Sequence, residues 1–319
     1  MGHQADYMPY VLITPSRNEA KFIETTIQSV IKQTVLPSKW VIVNDGSTDE
    51  TASIVDRYAA KYSWIELINL PARKERNFAA KVHAFKAGQE RVKNIEYEVI
   101  GNLDADVSLD EDHFEFLLGK FREDSHLGVA GTVFREPGYN SETDSFEGQN
   151  YVSGQCQIFR RRCFEEIGGY FPSKAGGIDW IAVKTARMIG WKTRSFREKS
   201  FYHHRVLGTA ERGVLASSFA YGKKDYILGG HPVWELFRCA YRMTKRPYLV
   251  GGMALFAGYV AALLSRTERP VSDELMGFHR REQMVKLKAI LVSICKFRRI
   301  DSFELMPIEQ PSSPVVHTK

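Results

Sequence analysis

Two aspartates, Asp104 and Asp106, follow an apolar run that begins at Val99. In an extended backbone, residues two apart point to the same side, so both carboxylates can serve one site at the end of this strand. Carboxylate oxygens suit Mg²⁺ or Mn²⁺, and such ions commonly carry a diphosphate. A polar strand exit with a turn is the alternative interpretation, because the pattern is short.

The elements that must position this pair alternate between strand and helix patterns. Apolar, β-branched runs end near Pro15, Asp45 and Asp104, and helical patterns follow them. This alternation predicts an α/β fold with a doubly wound, mostly parallel sheet and right-handed crossovers. Since the carboxyl ends of parallel strands meet at one edge, these residues are expected to line one cleft.

Further candidates lie in the segment after residue 128. Asp179 begins a helical pattern, where an acid is also a common cap. His203 and His204 end a strand-like run that begins at Trp191. Neighbouring strand residues face opposite ways, so only one imidazole should reach the site, and we expect His203. A solvated or structural histidine is the alternative.

The net charge of +6 is unevenly distributed along the 319 residues. Residues 1–180 contain 20 Lys and Arg against 27 Asp and Glu, whereas residues 181–300 contain 23 against 8. A basic second part is typical of a region that meets anions. The four scattered cysteines form no Cys-x-x-Cys pair, and the N-terminus lacks an apolar signal core. We therefore expect the cytoplasmic side of the cell (inner) membrane.

Five landmarks stand in this order along the chain: Pro15-Ser16-Arg17-Asn18-Glu19, Val43-Asn44-Asp45-Gly46-Ser47-Thr48-Asp49, Asp104-Ala105-Asp106, Gly168-Gly169-Tyr170 and Asp179. They resemble, in the same order, the landmarks of the inverting nucleotide-sugar glycosyltransferases of family two, which have the A-type fold. The resemblance covers roughly residues 10–205. In that family Glu-Asp often precedes the catalytic helix, whereas here Ile178 precedes Asp179.

The resemblance implies a nucleotide-sugar donor and a divalent metal ion, Mn²⁺ or Mg²⁺. Asp179 would be the general base, and Asp106 would bind the metal, with His203 as a further ligand. Asp45 would accept hydrogen bonds from the nucleotide base, and Asp104 would lie near the ribose or the metal. The other expected donor contacts are Pro15, Arg17, Glu19, Arg76 and Lys81. For Arg76 and Lys81, a solvated charge on a helix is the alternative interpretation.

The basic third of the chain contains an uncharged apolar stretch at residues 248–264. At 1.5 Å per residue it spans about 26 Å, which is marginal for a hydrocarbon core of about 30 Å. The basic amphipathic pattern at 280–299 favours a peripheral or re-entrant helix pair at an anionic membrane surface. A buried helix in a soluble domain is the alternative, because glycines permit close packing.

The predicted organisation is a catalytic, nucleotide-sugar-binding domain at 1–205, a helical membrane-associating region at 206–300 and a disordered tail at 301–319. No motif supports a nucleic-acid partner, and none indicates an oligomeric state.

The leading functional hypothesis is a metal-dependent inverting glycosyltransferase. It would move a sugar from a nucleotide-diphosphate donor to a lipid-linked saccharide or polysaccharide at the cytoplasmic membrane face. One rival is a non-catalytic, membrane-associated subunit that binds nucleotide sugars. The other is a sugar nucleotidyltransferase, which would need a glycine-rich phosphate loop where Pro15-Ser16-Arg17-Asn18-Glu19 stands.

Overall fold

A computed structural model describes residues 7–72, 78–144, 148–173, 175–205 and 213–296. Within these ranges the strands form one nine-stranded sheet. The strands are β1 (Tyr10–Ser16), β2 (Lys39–Asp45), β3 (Ile65–Leu70), β4 (Val99–Leu103), β5 (Val107–Ser108), β6 (Leu127–Glu136), β7 (Tyr139–Asn140), β8 (Cys156–Arg160) and β9 (Lys192–His203).

The helices of the described residues fall into two groups. Helices of the first group connect the strands, and those of the second group follow the last strand. The connecting helices are α1 (Ile23–Ile31), α2 (Thr51–Ala59), α3 (Phe78–Val92), α4 (His113–Glu123), α5 (Ser141–Asp144), α6 (Arg161–Glu166) and α7 (Ile178–Met188). The later helices are α8 (Val214–Ile227), α9 (Pro232–Met243), α10 (Val250–Leu264) and α11 (Asp273–Cys295).

The strand order across the sheet is β3-β2-β1-β4-β8-β6-β9-β5, and β7 pairs with β6. Strands β1 to β4 are parallel to one another, whereas β8 is antiparallel to both β4 and β6. The described chain between β6 and β8 holds only β7 and the four-residue α5, which are too short for a parallel crossover. The predicted α/β, doubly wound and mostly parallel fold is confirmed, with an antiparallel part after β4.

The core lies on both faces of the sheet, as the apolar runs predict. In β1, Leu12 faces the cluster that contains Trp40 and Ile42, while Val11 and Ile13 face the opposite cluster. Alternate residues of a strand point to opposite faces, so a strand covered on both sides needs apolar residues throughout. This burial holds the carboxyl ends of the strands in a fixed arrangement at one edge.

The C-terminal helices form a separate packed layer. Helix α10 packs against α8 and α9, and α11 packs against α7. The side chain of Glu282 of α11, which is 2% exposed, accepts a hydrogen bond from Lys184 of α7 at 2.8 Å and forms an ion pair with Arg187 of the same helix at 2.5 Å. No helix among the described residues combines the length and the apolar character needed to cross a membrane. The predicted tail at 301–319 lies outside the described residues.

Candidate active site

The loops after β1 and β2 are joined to each other by hydrogen bonds. Asn18 donates its backbone N–H to Ser47 Oγ at 2.9 Å, and its side-chain Oδ1 accepts from the Thr48 backbone N–H at 2.8 Å. Asn18 has a φ of 56°, in the left-handed region that Asn adopts more readily than most residues. The two loops therefore form one wall rather than two independent segments.

Three of the expected donor contacts lie at this wall. Asp45 is the last residue of β2 and is buried, and Pro15 pairs with Val43 in the sheet register. Arg17 is half-buried in the loop that follows β1. Gly46 has a φ of 67°, and a side chain at this position would lie 2.5 Å from the Cα atom of Ala72. Only glycine fits this turn, which follows directly after Asp45.

Asp104 forms an ion pair with Lys81 of α3. The Lys81 Nζ atom lies 2.5 Å from Asp104 Oδ1, and Asn102 Nδ2 donates to the same oxygen at 3.1 Å. Burial raises the pKa of Asp104, and the charge of Lys81 only partly offsets it. Burial lowers the pKa of Lys81, but Asp104, Asp179 and Asp106 together outweigh it and raise this pKa. The structure thus places Lys81 among three of the predicted site carboxylates.

Asp106 and His203 lie close to each other. His203 Nε2 is 3.4 Å from Asp106 Oδ2, and His203 Nδ1 is 2.9 Å from Glu136 Oε2. Burial alone would lower the pKa of His203, but the hydrogen bonds and charges of Asp106 and Glu136 raise it. His204 points away, with its Nε2 atom 3.1 Å from Ser108 Oγ. The structure therefore brings the imidazole of His203, and not that of His204, to the carboxylate of Asp106.

Arg205 connects Asp106 to Glu19. Its Nε atom is 3.2 Å from Asp106 Oδ2, and its Nη2 atom donates to Glu19 Oε2. Burial and the charge of Asp106 raise the pKa of Glu19 to about 7, against the opposing charge of Arg205. Sequence reasoning did not assign Arg205 to the site. The available signal was its position directly after the histidine pair at the end of β9.

Asp179 lies in the first turn of α7 and does not act as its cap. The N-cap residue is Gly177, with a φ of 75°, and Asp179 Oδ2 accepts from the Tyr151 hydroxyl at 2.5 Å. A side chain at Gly154 would lie 2.8 Å from the Asp179 Cβ atom, so the chain passes very close to the carboxylate. Tyr151 was also missed, because it follows a polar loop that carries no readable pattern.

A metal ion could be held by Asp106 and His203. Two ligands about 2.1 Å from one ion and at right angles to each other are about 3 Å apart, close to the observed separation. Glu136 orients the imidazole ring of His203 through its contact with Nδ1, as a carboxylate commonly does behind a metal-binding histidine. No three His, Cys, Asp or Glu side chains of the described residues could hold an ion by themselves. Phosphate and water would supply the remaining ligands.

One predicted contact cannot be placed. Arg76 lies outside the described residues, in the gap between residues 72 and 78. The other predicted site residues all lie at or beside the carboxyl edge of the sheet.

A family profile matches the first part of the chain. Residues 11–147 match the family described as Glycosyl transferase family 2. The matched range contains Asp45, Asp104 and Asp106, and it ends before Asp179 and His203.

A curated relative has a related sequence over a longer range. The poly-beta-1,6-N-acetyl-D-glucosamine synthase of Staphylococcus epidermidis is 27% identical over 209 residues. The match covers 60% of this chain and 47% of the relative, so the matched part is about half the length of that protein.

Two solved structures share the fold. The mannosyltransferase PcManGT from Pyrobaculum calidifontis, in complex with GDP-Man and Mn²⁺, is 17% identical with a TM-score of 0.54, covering 92% of this chain and 81% of that chain. S. aureus TarS 1-349, in complex with UDP-GlcNAc, is 16% identical with a TM-score of 0.51, covering 90% and 81%. Residues 11–147 are therefore similar to a glycosyltransferase family 2 domain, and the chain shares its fold with these two solved structures.

Proposed function

We propose that this protein is a metal-dependent inverting glycosyltransferase that uses a nucleotide-diphosphate sugar, with a UDP-sugar as the first candidate. The observation that carries the proposal is the grouping of carboxylates at one edge of the sheet. Lys81 forms an ion pair with Asp104, and the charges of Asp106 and Asp179 help to raise its pKa, although Asp179 comes from a different part of the chain. The family 2 domain and the UDP-GlcNAc complex of TarS support this choice of donor.

The nucleotide binds at the wall made by the loops after β1 and β2. Asp45 accepts hydrogen bonds from the base, while Pro15, Arg17 and Glu19 line the same pocket. The hydrogen bonds between the two loops support this role, because a preformed pocket loses less conformational entropy on binding.

The ribose and phosphates extend from this wall toward the centre of the cleft. Asp104 binds near the ribose or the metal, and Lys81 and Arg76 contact the phosphates or the sugar. Arg205 is a further phosphate contact, since its guanidinium already bridges the carboxylates of this region.

Mn²⁺ or Mg²⁺ is held by Asp106 and His203. When bound, such an ion neutralises the negative charge that develops on the departing diphosphate. Glu136 keeps the ring of His203 turned so that Nε2 faces Asp106. The Mn²⁺ in the PcManGT complex is consistent with this requirement.

Asp179 acts as the general base. Its carboxylate removes the proton from the acceptor hydroxyl as that oxygen attacks the anomeric carbon. The bond between the anomeric carbon and the diphosphate oxygen breaks on the opposite face, so the product has inverted configuration. The hydrogen bond from Tyr151 supports this role because it orients one carboxylate oxygen and leaves the other for the acceptor.

The acceptor is a lipid-linked saccharide or a polysaccharide at the cytoplasmic face of the membrane. The name of the Staphylococcus epidermidis relative, a polysaccharide synthase, supports a saccharide acceptor. The excess of Lys and Arg over residues 181–300 supports an anionic membrane surface as the place of reaction.

A donor screen tests the proposal. The purified protein is incubated with a panel of UDP- and GDP-sugars, with Mn²⁺ or Mg²⁺, and with or without lipid-linked saccharides, and release of the nucleoside diphosphate is measured. We expect metal-dependent release that increases with the correct acceptor. The absence of both turnover and nucleotide binding across the panel would contradict the proposal. Binding without turnover, even with membrane extract present, would indicate the non-catalytic subunit instead.

A further inference from the structure

Helix α10 exposes its large apolar side chains instead of burying them. Seven such residues of α10 and the turn before it, here called the α10 outer face, are between 41% and 78% exposed. Helices in water-soluble domains normally turn this kind of surface toward the core. The α10 outer face consists of Tyr248, Leu249, Val250, Met253, Phe256, Leu263 and Leu264.

The opposite face of α10 is reserved for close backbone packing. A side chain at Gly258 would lie 2.0 Å from the Phe219 carbonyl oxygen, and one at Gly252 would lie 2.4 Å from the Cys239 carbonyl oxygen. On α8, a side chain at Gly222 would lie 1.8 Å from the Leu255 carbonyl oxygen. Large residues therefore cannot replace these glycines, and α10 cannot rotate to bury its outer face without losing this packing.

The surroundings of the α10 outer face are positively charged. Residues 213–269 contain eight Lys and Arg against three Asp and Glu. Two of these acids, Asp225 and Glu235, already contact Arg238. Exposed basic residues stand at both ends of the helix, Lys245 and Arg246 before it and Arg266 after it.

We propose that the α10 outer face lies in the interfacial layer of an anionic membrane, with the helix axis along the surface. The apolar side chains enter the boundary of the acyl chains, while the flanking basic residues contact the headgroups. The fifteen residues of α10 span about 22 Å, so the helix fits along the surface better than across it. The inference rests on the proposed function only for the choice of a membrane as the place of reaction.

A second copy of the chain fits this surface less well. Two α10 helices that pack antiparallel would bring Lys245 and Arg246 of one copy against Arg266 of the other, and parallel packing would also align like charges. Repulsion between these groups disfavours a dimer and favours anionic headgroups as the occupant.

Helix α11 uses part of the amphipathic pattern at residues 280–299 for packing inside the protein. Glu282, Leu287 and Ile290 are buried, and α11 packs against α7 and α9. Part of its amphipathic pattern thus serves internal packing rather than a membrane. Its exposed residues Val285 and Leu291 provide a matched comparison for α10, because they are apolar and about half exposed.

Vesicle sedimentation tests the inference with two matched double variants of the full chain. Met253→Ser with Leu264→Ser changes α10, and Val285→Ser with Leu291→Ser changes α11. With vesicles that contain phosphatidylglycerol, we expect the α10 variant to bind at least about tenfold more weakly than the wild type. The α11 variant should bind like the wild type. Lys245→Glu with Arg246→Glu should remove the preference for phosphatidylglycerol over phosphatidylcholine vesicles.

Three results would overturn the inference. Unchanged vesicle binding by the α10 variant would exclude its outer face, and a loss confined to the α11 variant would assign the membrane contact to α11. A wild-type dimer in sedimentation velocity that dissociates in the α10 variant would identify a second copy as the occupant. UDP binding, measured without vesicles on each variant, tests the enzyme proposal separately from the membrane contact. Vesicle binding by a protein that lacks turnover would support only the membrane contact.

Discussion

Charged side chains are crowded together at the carboxyl edge of the sheet, whereas large apolar side chains are exposed on the C-terminal helices. At the edge, Asp104 and Asp106 contact Lys81, His203 and Arg205. On α10, Met253 and Leu264 are 59% and 78% exposed. A buried charge is costly unless it is paired, and an exposed apolar face is costly in water. Both arrangements are therefore explained best by ligands of matching chemistry.

The ion pair between α7 and α11 shows what a purely structural use of charge looks like. Both cations that contact Glu282 come from one helix and are three residues apart, and the three side chains are at most 12% exposed. Around Asp106 the partners come from β9 and the residues after it, and they also contact Glu19 and Glu136. The difference indicates that convergence of several elements on one carboxylate, rather than burial alone, marks the site.

The sharpest test of the catalytic edge is Asp179→Asn. We expect a loss of transfer of about 10²- to 10⁴-fold, the usual contribution of a general base, with unchanged donor binding. Turnover and UDP-sugar affinity measured on the same preparation check this. Asp110→Asn, the same change at an exposed aspartate, is the control. Loss of donor binding by Asp179→Asn would make it a donor-site or structural residue.

Glu282→Ala removes the ion pairs between α11 and α7. The variant leaves Lys184 and Arg187 buried without their carboxylate, and we expect the free energy of unfolding to fall by about 3–5 kcal/mol. Glu274→Ala, in the exposed first turn of the same helix, should cost no more than about 1 kcal/mol. Urea denaturation measures both. Equal effects would mean that the buried pair contributes no more than a surface charge.

His203→Ala and His204→Ala compare the contributions of the two neighbouring histidines to metal binding. His203→Ala removes the imidazole that lies beside Asp106. This loss should raise the Mn²⁺ concentration needed for UDP binding by about 10- to 100-fold. The second should change it little, because His204 contacts Ser108 instead. Calorimetric titration of UDP at several Mn²⁺ concentrations distinguishes them. An equal shift in both variants would remove His203 from the metal site.

A further prediction concerns the pH dependence of the C-terminal helices. Burial raises the pKa of Glu235 to about 8, from an ordinary value of 4.5, with Asp225 acting in the same direction. Between these values the folded protein binds a proton that the unfolded chain has released, so the free energy of unfolding falls as the pH rises. Glu235→Gln should flatten this decline in thermal unfolding between pH 5 and 8. Glu268→Gln, at an exposed site, should leave the decline unchanged.

Much of the catalytic fold could be predicted because local patterns and burial agree there. The apolar run at Val99 becomes β4, which ends at Leu103, one residue before Asp104. The helix expected at Asp179 begins at Ile178. A strand covered on both faces must be apolar, and a parallel sheet must place its carboxyl ends together, so sequence order alone indicates the location of the cleft.

The partners of the site residues could not be predicted in the same way. Glu19 and Arg205 are 186 residues apart, and His203 and Glu136 are 67 apart. Tyr151 reaches Asp179 from a loop without a periodic pattern. No local rule relates such positions, because they meet only after the sheet has formed.

The amino-acid sequence by itself determined the order of the βα units, the carboxylates at their ends and the basic character of the last third, since these depend on composition and on periods of two or 3.6 residues. Only the tertiary structure decided which tyrosine contacts Asp179, which arginine joins Asp106 to Glu19, and which side of α10 is left in contact with solvent. The physical reason is that each of these outcomes depends on packing between segments far apart in the chain. The glycines of α8 and α10 illustrate this, because their small size has a consequence only where another backbone lies against them.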